Sequence, residues 1–311
     1  MRAIVLGPQR LPTLGSVARA LDLPAPVATV TAGWEERESD DAELDGLLGG
    51  RSANLRLYHR WQDVLARDPG YAAAEREYRT VWREQRELYM IQLDGPLRSL
   101  REVTRHVGED RVRAAARADA EAVVRLVDDR HLVRMRDARA SFEADAQPAE
   151  RAVVVEHRAD LAQVLTAASA LIVAGGNVGV LLHLLRLFAV STPPVLVAWS
   201  AGAMALTERV LLFHDRAAHG PSHAEFLDDG LGWLCGCILL PHARRRLRTD
   251  DPARMAELAA RVAPARAVVV DDGVRLDLGP YGDLPADARV VGVDGRIGAV
   301  TDPVEPRRIK A

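Results

Sequence analysis

Ser200 ends an apolar run, Pro194-Val195-Leu196-Val197-Ala198-Trp199, and is followed by Ala201-Gly202-Ala203. A serine hydroxyl is a weak nucleophile until a base lies within hydrogen-bond reach and a third group orients that base. The small neighbours matter mechanically, because they let a strand turn sharply into a helix without collision. A helix expected over Ala203–Val210 would offer backbone N–H groups to a developing oxyanion. The simpler alternative is a helix start with Ser200 as its N-cap.

The partners a serine needs are expected at other strand ends. His242 follows the apolar run Trp233–Leu240, and Asp271 and Asp272 follow Ala267–Val270. His214, with Asp215 next to it, is the rival base. His242 is preferred because His214 lies on the excursion that leaves the serine's own helix. Gly175-Gly176-Asn177 sits between the expected strand Ala170–Ala174 and the helix Val178–Phe188. Two glycines there let backbone N–H groups approach a substrate closely, and an ordinary strand-to-helix turn is the plain alternative. The Gly-Lys-Ser/Thr ending of a phosphate loop is absent. Arg244 and Arg246 are candidates for a substrate carboxylate, or part of a solvated basic run with Arg245 and Arg248. Cys235 and Cys237 read as two cysteines on one face of an apolar strand. They do not complete a zinc site, and a disulfide between positions i and i+2 is strained. No metal or organic cofactor is expected.

Three blocks must position these residues. Residues 1–60 alternate strand-like and helical runs: Ala3–Gly7, Val27–Ala32 and a third candidate strand Asn54–Tyr58, with a helix over Leu14–Leu21. Residues 61–149 are rich in Arg, Glu and Ala. Tyr71, Tyr78, Trp82, Tyr89 and Leu93 recur at spacings of seven, four, seven and four, a single helical stripe. Gly95-Pro96 punctuates that helix. A second helix over Asp110–Ala144 would use Val112, Val123, Leu126, Val127 and Leu132 as its apolar positions. The stripe implies an internal seam, with a homodimer interface or a lid over the site as sharper alternatives. Residues 150–311 return to alternating strands and helices, with a helix around Asp160–Ala168. Arg289–Val293 and Ile297–Val300 flank Asp294-Gly295, a hairpin signal. The expected fold is α/β, a mostly parallel sheet flanked by helices, formed by 1–60 with 150–311 and interrupted by a large helical insertion.

The chain has 311 residues, 48% hydrophobic and 27% charged, which suits a folded domain with an insertion rather than a disordered chain. A net charge of -3 gives no reason to expect a nucleic-acid partner. Lys310 is the only lysine, and compositional bias is the simplest account of so much arginine. The start, Met1-Arg2-Ala3-Ile4-Val5-Leu6-Gly7, enters a strand-like run without a signal-peptide pattern. The most apolar helix candidate, Val180–Val190, is too short to span a bilayer and contains His183 and Arg186. A cytoplasmic protein without a membrane partner is the expectation.

The motifs together resemble those of the cyanophycinase and dipeptidase E family of serine peptidases, whose fold is similar to class I glutamine amidotransferases. Gly175-Gly176-Asn177 with Leu181-Leu182 is like the family's Gly-Gly-Asn/Asp element, and Trp199-Ser200-Ala201-Gly202-Ala203 is like its nucleophile turn. His242 followed by Arg244 and Arg246 looks like the family's histidine stretch with trailing arginines. Ala267–Asp272 resembles the strand carrying its acid, which makes Asp272 the better third member than Asp271. The resemblance implies a serine peptidase or amidase working through an acyl-enzyme on a peptide-like substrate. Ser200, His242 and Asp272 would be catalytic, and Gly176 and Ala201 the oxyanion donors. Gly175, Asn177, Arg244 and Arg246 would contact substrate. Two positions depart from the pattern. Ala198 stands where the family usually has glycine. Val178 stands where its peptidases often place a polar residue that reads an aspartyl substrate. The family's aspartyl specificities are therefore not carried over, and a catalytically silent scaffold acting through the insertion is the alternative.

Overall fold

The computed structural model describes residues 2–10, 13–192, 194–216, 223–279 and 283–300. Along the first block, aliphatic runs form β1 (Arg2–Leu6), β2 (Val27–Val30) and β3 (Ser52–Asn54), with helices α1 (Leu14–Leu21) and α2 (Ala42–Leu47) between them. The third strand ends earlier than the sequence suggests, because Leu57 and Tyr58 already belong to α3 (Leu57–Arg67), whose Leu57, Tyr58, Trp61 and Val64 are buried. Burial along one helical face outweighs the β-propensity of a short apolar run.

Two helices of 37 residues follow, α4 (Pro69–Arg105) and α5 (Asp110–Ala146). At 1.5 Å per residue each is about 55 Å long. Asp68 caps α4 by accepting from the Tyr71 N–H, and proline at the first turn costs no hydrogen bond. Gly95-Pro96 does not end α4, which continues through Pro96. Leu93, Leu97 and Leu100, buried with Val124 of α5, hold the helix across the missing hydrogen bond. On α5 the expected stripe is corrected: Val112, Val123 and Leu126 are exposed, while Val124, Leu132, Met135 and Phe142 are buried. Much of this seam is polar, which hides it from an apolar count.

The last block supplies α6 (Ala152–Ala167), β4 (Ala170–Val173), α7 (Val178–Leu187), β5 (Val195–Trp199) and α8 (Ala201–Ala205). Helix α6 begins eight residues before the expected start at Asp160. The helix expected over Ala203–Val210 is only the five-residue α8, after which Arg209 enters β6 (Arg209–Leu212), paired antiparallel with β7 (Glu225–Asp229). Then come β8 (Cys237–Pro241), α9 (Ala243–Arg246), α10 (Pro252–Val262), β9 (Arg266–Val270), β10 (Arg275–Leu278), β11 (Arg289–Val291) and β12 (Ile297–Ala299). The cysteines do not share a strand face. Gly236, at φ 71°, separates them, so Cys237 begins β8 and Cys235 stays in the preceding turn. Both are free thiols, and burial pushes Cys237 up to about 12.

The central sheet has six strands in the order β10-β1-β5-β4-β2-β3. All neighbours are parallel except β10, which runs antiparallel to β1. Every residue of β2 and β4 is buried, as expected of strands covered on both faces. One face packs Ile4, Leu6, Ile172 and Val197 against α1 and α2. The other packs Ala3, Val5, Leu171 and Val173 into the larger core with α3, α6 and α7. Strands β8 and β9 do not join this sheet. They pair in parallel within a second sheet of four strands, β12-β11-β9-β8. Short buried runs cannot choose a sheet by themselves, and this difference bears directly on the site.

The helical pair is fastened to the body by arginine. Arg261 of α10 reaches the buried Asp128 of α5 at 2.8 Å, and Tyr89 donates to the same carboxylate at 2.6 Å. Arg101 pairs with Glu257 at 2.8 Å, Arg139 with Asp228 at 2.9 Å, and Arg86 with Glu225. Beside any compositional bias, the guanidinium has a structural use here, since its planar fork matches a carboxylate.

Candidate active site

The site is built where the parallel strands end. At the end of β5, Ser200 takes φ 50° and ψ -126°, a region that residues with a β-carbon rarely occupy. Close packing of neighbouring turns makes this conformation possible. A β-carbon on Gly202 would lie 2.4 Å from the Ala174 carbonyl oxygen. One on Gly175 would lie 2.9 Å from the Ser200 Cβ, so the turn after β4 rests directly against the serine. Gly176, at φ 118°, leaves room for the Gly33 carbonyl, which accepts from the Asn177 N–H at 2.8 Å. The turns after β2, β4 and β5 are thereby stacked side by side.

His242 arrives from the second sheet. It follows β8 in a left-handed conformation, φ 57° and ψ 30°, with its backbone N–H donating to the Val270 carbonyl at 3.3 Å. Its Nε2 lies 3.3 Å from Ser200 Oγ. Burial lowers the imidazole pKa, Arg246 lowers it further, and Asp272 pulls the other way. A neutral ring is therefore favoured at neutral pH, the state that can accept a proton.

The two aspartates face the arginines after His242. Asp271 Oδ1 accepts from the Arg244 N–H at 3.1 Å, and its Oδ2 lies 3.5 Å from Arg244 Nε. Asp272 is 3.8 Å from Arg245 and about one third exposed (32%). Among the described residues neither carboxylate hydrogen-bonds His242. Asp272 bears on the ring through space only. Arg246 stands close enough to depress both His242 and His214. Asp215, next in sequence to the rival base His214, is itself buried in an ion pair with Arg254 at 2.7 Å.

Asn177 acts as the cap of α7, its Oδ1 accepting from the Gly179 and Val180 N–H groups at 3.1 and 3.3 Å. Its amide donates to Glu35 at 2.5 Å. Glu35 is not among the residues that the sequence motifs single out. Its backbone, φ 58° and ψ -124°, nearly repeats that of Ser200. Ala198 is fully buried between Val5 and Val173 in register. Val178 is buried and lines a cavity of about 840 Å³ between the helical pair and α7.

Among the described residues no cluster of histidine, cysteine, aspartate or glutamate could hold a metal, and no helix is long and apolar enough to cross a membrane. The sequence matches no protein-family model and no curated protein. Among solved structures the chain is similar to one described as a peptidase from an acI-B1 Actinobacterium. That likeness has 11% identity, covers 97% of this chain and 96% of the other, and has a TM-score of 0.41.

Proposed function

We propose that the protein is a serine hydrolase that cleaves a peptide or isopeptide bond through an acyl-enzyme on Ser200. The observation that carries this reading is the strained strand-end serine with its Oγ 3.3 Å from His242 Nε2. Ser200 attacks the carbonyl, His242 takes its proton, and the protonated ring then gives that proton to the leaving amine. Water repeats the sequence to release the acid. The Ala201 and Gly176 N–H groups are the proposed oxyanion donors, each worth about 3–4 kcal/mol in well-studied hydrolases. Asp272 is the proposed orienting acid; it must leave Arg245 and turn towards His242 when substrate binds. Residues 1–60 with 150–311 form the catalytic part in this reading, and 61–149 shape access to it.

A fluorophosphonate probe tests the assignment. Labelling is expected in the native protein and lost in Ser200→Ala and His242→Ala. Its rate should rise with pH through a midpoint below 6.5, because the His242 pKa is lowered from that value. Well-folded protein that never labels would overturn the hydrolase. It would favour the second reading, a catalytically silent scaffold, which is supported by Asp272 standing beside Arg245 at 3.8 Å. A homodimer through the helical pair is proposed separately from either reading. Exposed Ile91, Val112 and Leu126 are the apolar positions a second copy would cover. Sedimentation velocity should then give a dimer that Leu126→Glu dissociates. A monomer at about 10 μM protein, ten times a dissociation constant of about 1 μM, counts against it.

A further inference from the structure

The cavity between the helical pair and α7 has the makings of a substrate pocket. Its volume, about 840 Å³, suits a ligand of several groups. One wall is Val178 and Leu182 of α7. The facing wall is aromatic, with Tyr78 and Phe142 stacked at 4.7 Å and Trp82 one turn further along α4. The cavity adjoins the catalytic turn, because Asn177, Val178 and Gly179 line it, and Gly175 of the same segment touches Ser200.

The charges on the lining point to one kind of ligand. Arg79 pairs with Glu75, Arg86 with Glu225, and Arg139 and Arg186 both with Asp228. Arg158 differs from these four. Its Nε and Nη2 donate to the Leu187 carbonyl at 2.9 and 2.6 Å, and among the described residues no carboxylate pairs with it. Burial lowers its pKa, and among the described residues the Tyr71 side chain alone acts to raise it. A partly desolvated guanidinium without a counter-ion forgoes the interaction that offsets its burial. Glu143 and Glu150 also line the cavity, but both are exposed, where solvent screens them.

We propose that this cavity binds a peptide-like substrate by an aromatic side chain and a free carboxylate, the ring against Tyr78, Trp82 and Phe142 and the carboxylate on Arg158. The inference rests on the hydrolase reading for the cleavage step, but binding itself can be measured without turnover. Calorimetric titration of the Ser200→Ala protein with N-acetyl-phenylalanine, its amide and N-acetyl-alanine separates the parts. The free acid should bind at least about tenfold more tightly than the amide, as a charge-assisted pair to arginine gives. It should also bind more tightly than N-acetyl-alanine. Arg158→Gln should abolish the preference for the acid and leave the affinity for the amide in place, and Trp82→Ala should weaken both phenylalanine ligands. Absence of binding, or an acid no better than the amide, overturns the proposal. So does a preference that survives in folded Arg158→Gln. If that variant does not fold, the three ligands on the Ser200→Ala protein decide by the same criteria. Because no step depends on the serine, the result is independent of fluorophosphonate labelling.

Discussion

At the scale of single residues, the proposed nucleophile Ser200 is also a point of backbone strain. A β-carbon at φ 50° and ψ -126° costs on the order of 1–3 kcal/mol, and the stacked glycine turns on either side hold it there. Glycine occupies this region without steric cost, though it loses more entropy on folding. Ser200→Gly is therefore expected to raise unfolding stability by about 1 kcal/mol in urea while eliminating probe labelling. A loss of stability instead would mean that the relief of strain does not outweigh the entropy glycine loses on folding. The apolar run, the small residues and the serine are legible because they lie together in sequence. The surroundings of the proposed orienting acid are not. Whether Asp272 meets His242 or Arg245 depends on side-chain directions that spacing does not encode. Glu35 escapes for a similar reason, since its contact is with Asn177 of another turn.

Among the elements, α5 is held to α10 by a buried ionic centre more than by apolar packing alone. Asp128 accepts two hydrogen bonds from Arg261, at 2.8 and 2.9 Å, and one from Tyr89 at 2.6 Å. Removing one partner leaves the other charge buried and unpaired, at a cost of about 3–5 kcal/mol. Asp128→Asn should lose stability of that order, whereas Asp128→Leu with Arg261→Met should recover much of it. Thermal unfolding of the single and double variants reads the difference. A single variant within about 0.5 kcal/mol of the native protein would show that this centre does not hold the helices. Elements with a strong local period, α1, the Tyr71–Leu93 stretch of α4 and most central strands, are legible from residue spacing alone. The α5 seam is not, since Asp128 and His131 occupy core positions that an apolar count passes over. The assignment of β8 and β9 to a second sheet is hidden too. A fully buried strand carries no mark of which neighbour it will pair with, and register is decided by long-range packing.

For the molecule as a whole, ionic fastening between the helical pair and the α/β body makes stability depend on pH in two separate windows. Burial lowers the pKa of His131 and His223, so the folded state binds fewer protons than the unfolded state just below 6.5, and stability falls as pH drops through that value. Glu75 acts at lower pH. Burial alone would raise its carboxyl, but His183, Trp61 and Arg79 outweigh that and hold it at about 2, against 4.5 when unfolded. The carboxylate therefore contributes its full stability above about 4.5, up to about 3 kcal/mol, and loses it as pH falls towards 2. Its partners belong to α3, α4 and α7, so protonation loosens the helices from the wall of the cavity as well as from the core. Melting temperature followed from pH 7 to pH 2.5 should fall in two stages. Glu75→Gln should lower stability at pH 7 and flatten the second stage, leaving the first unchanged. An acid limb equally steep in the variant would place the sensitivity in other carboxylates and remove Glu75 from this role.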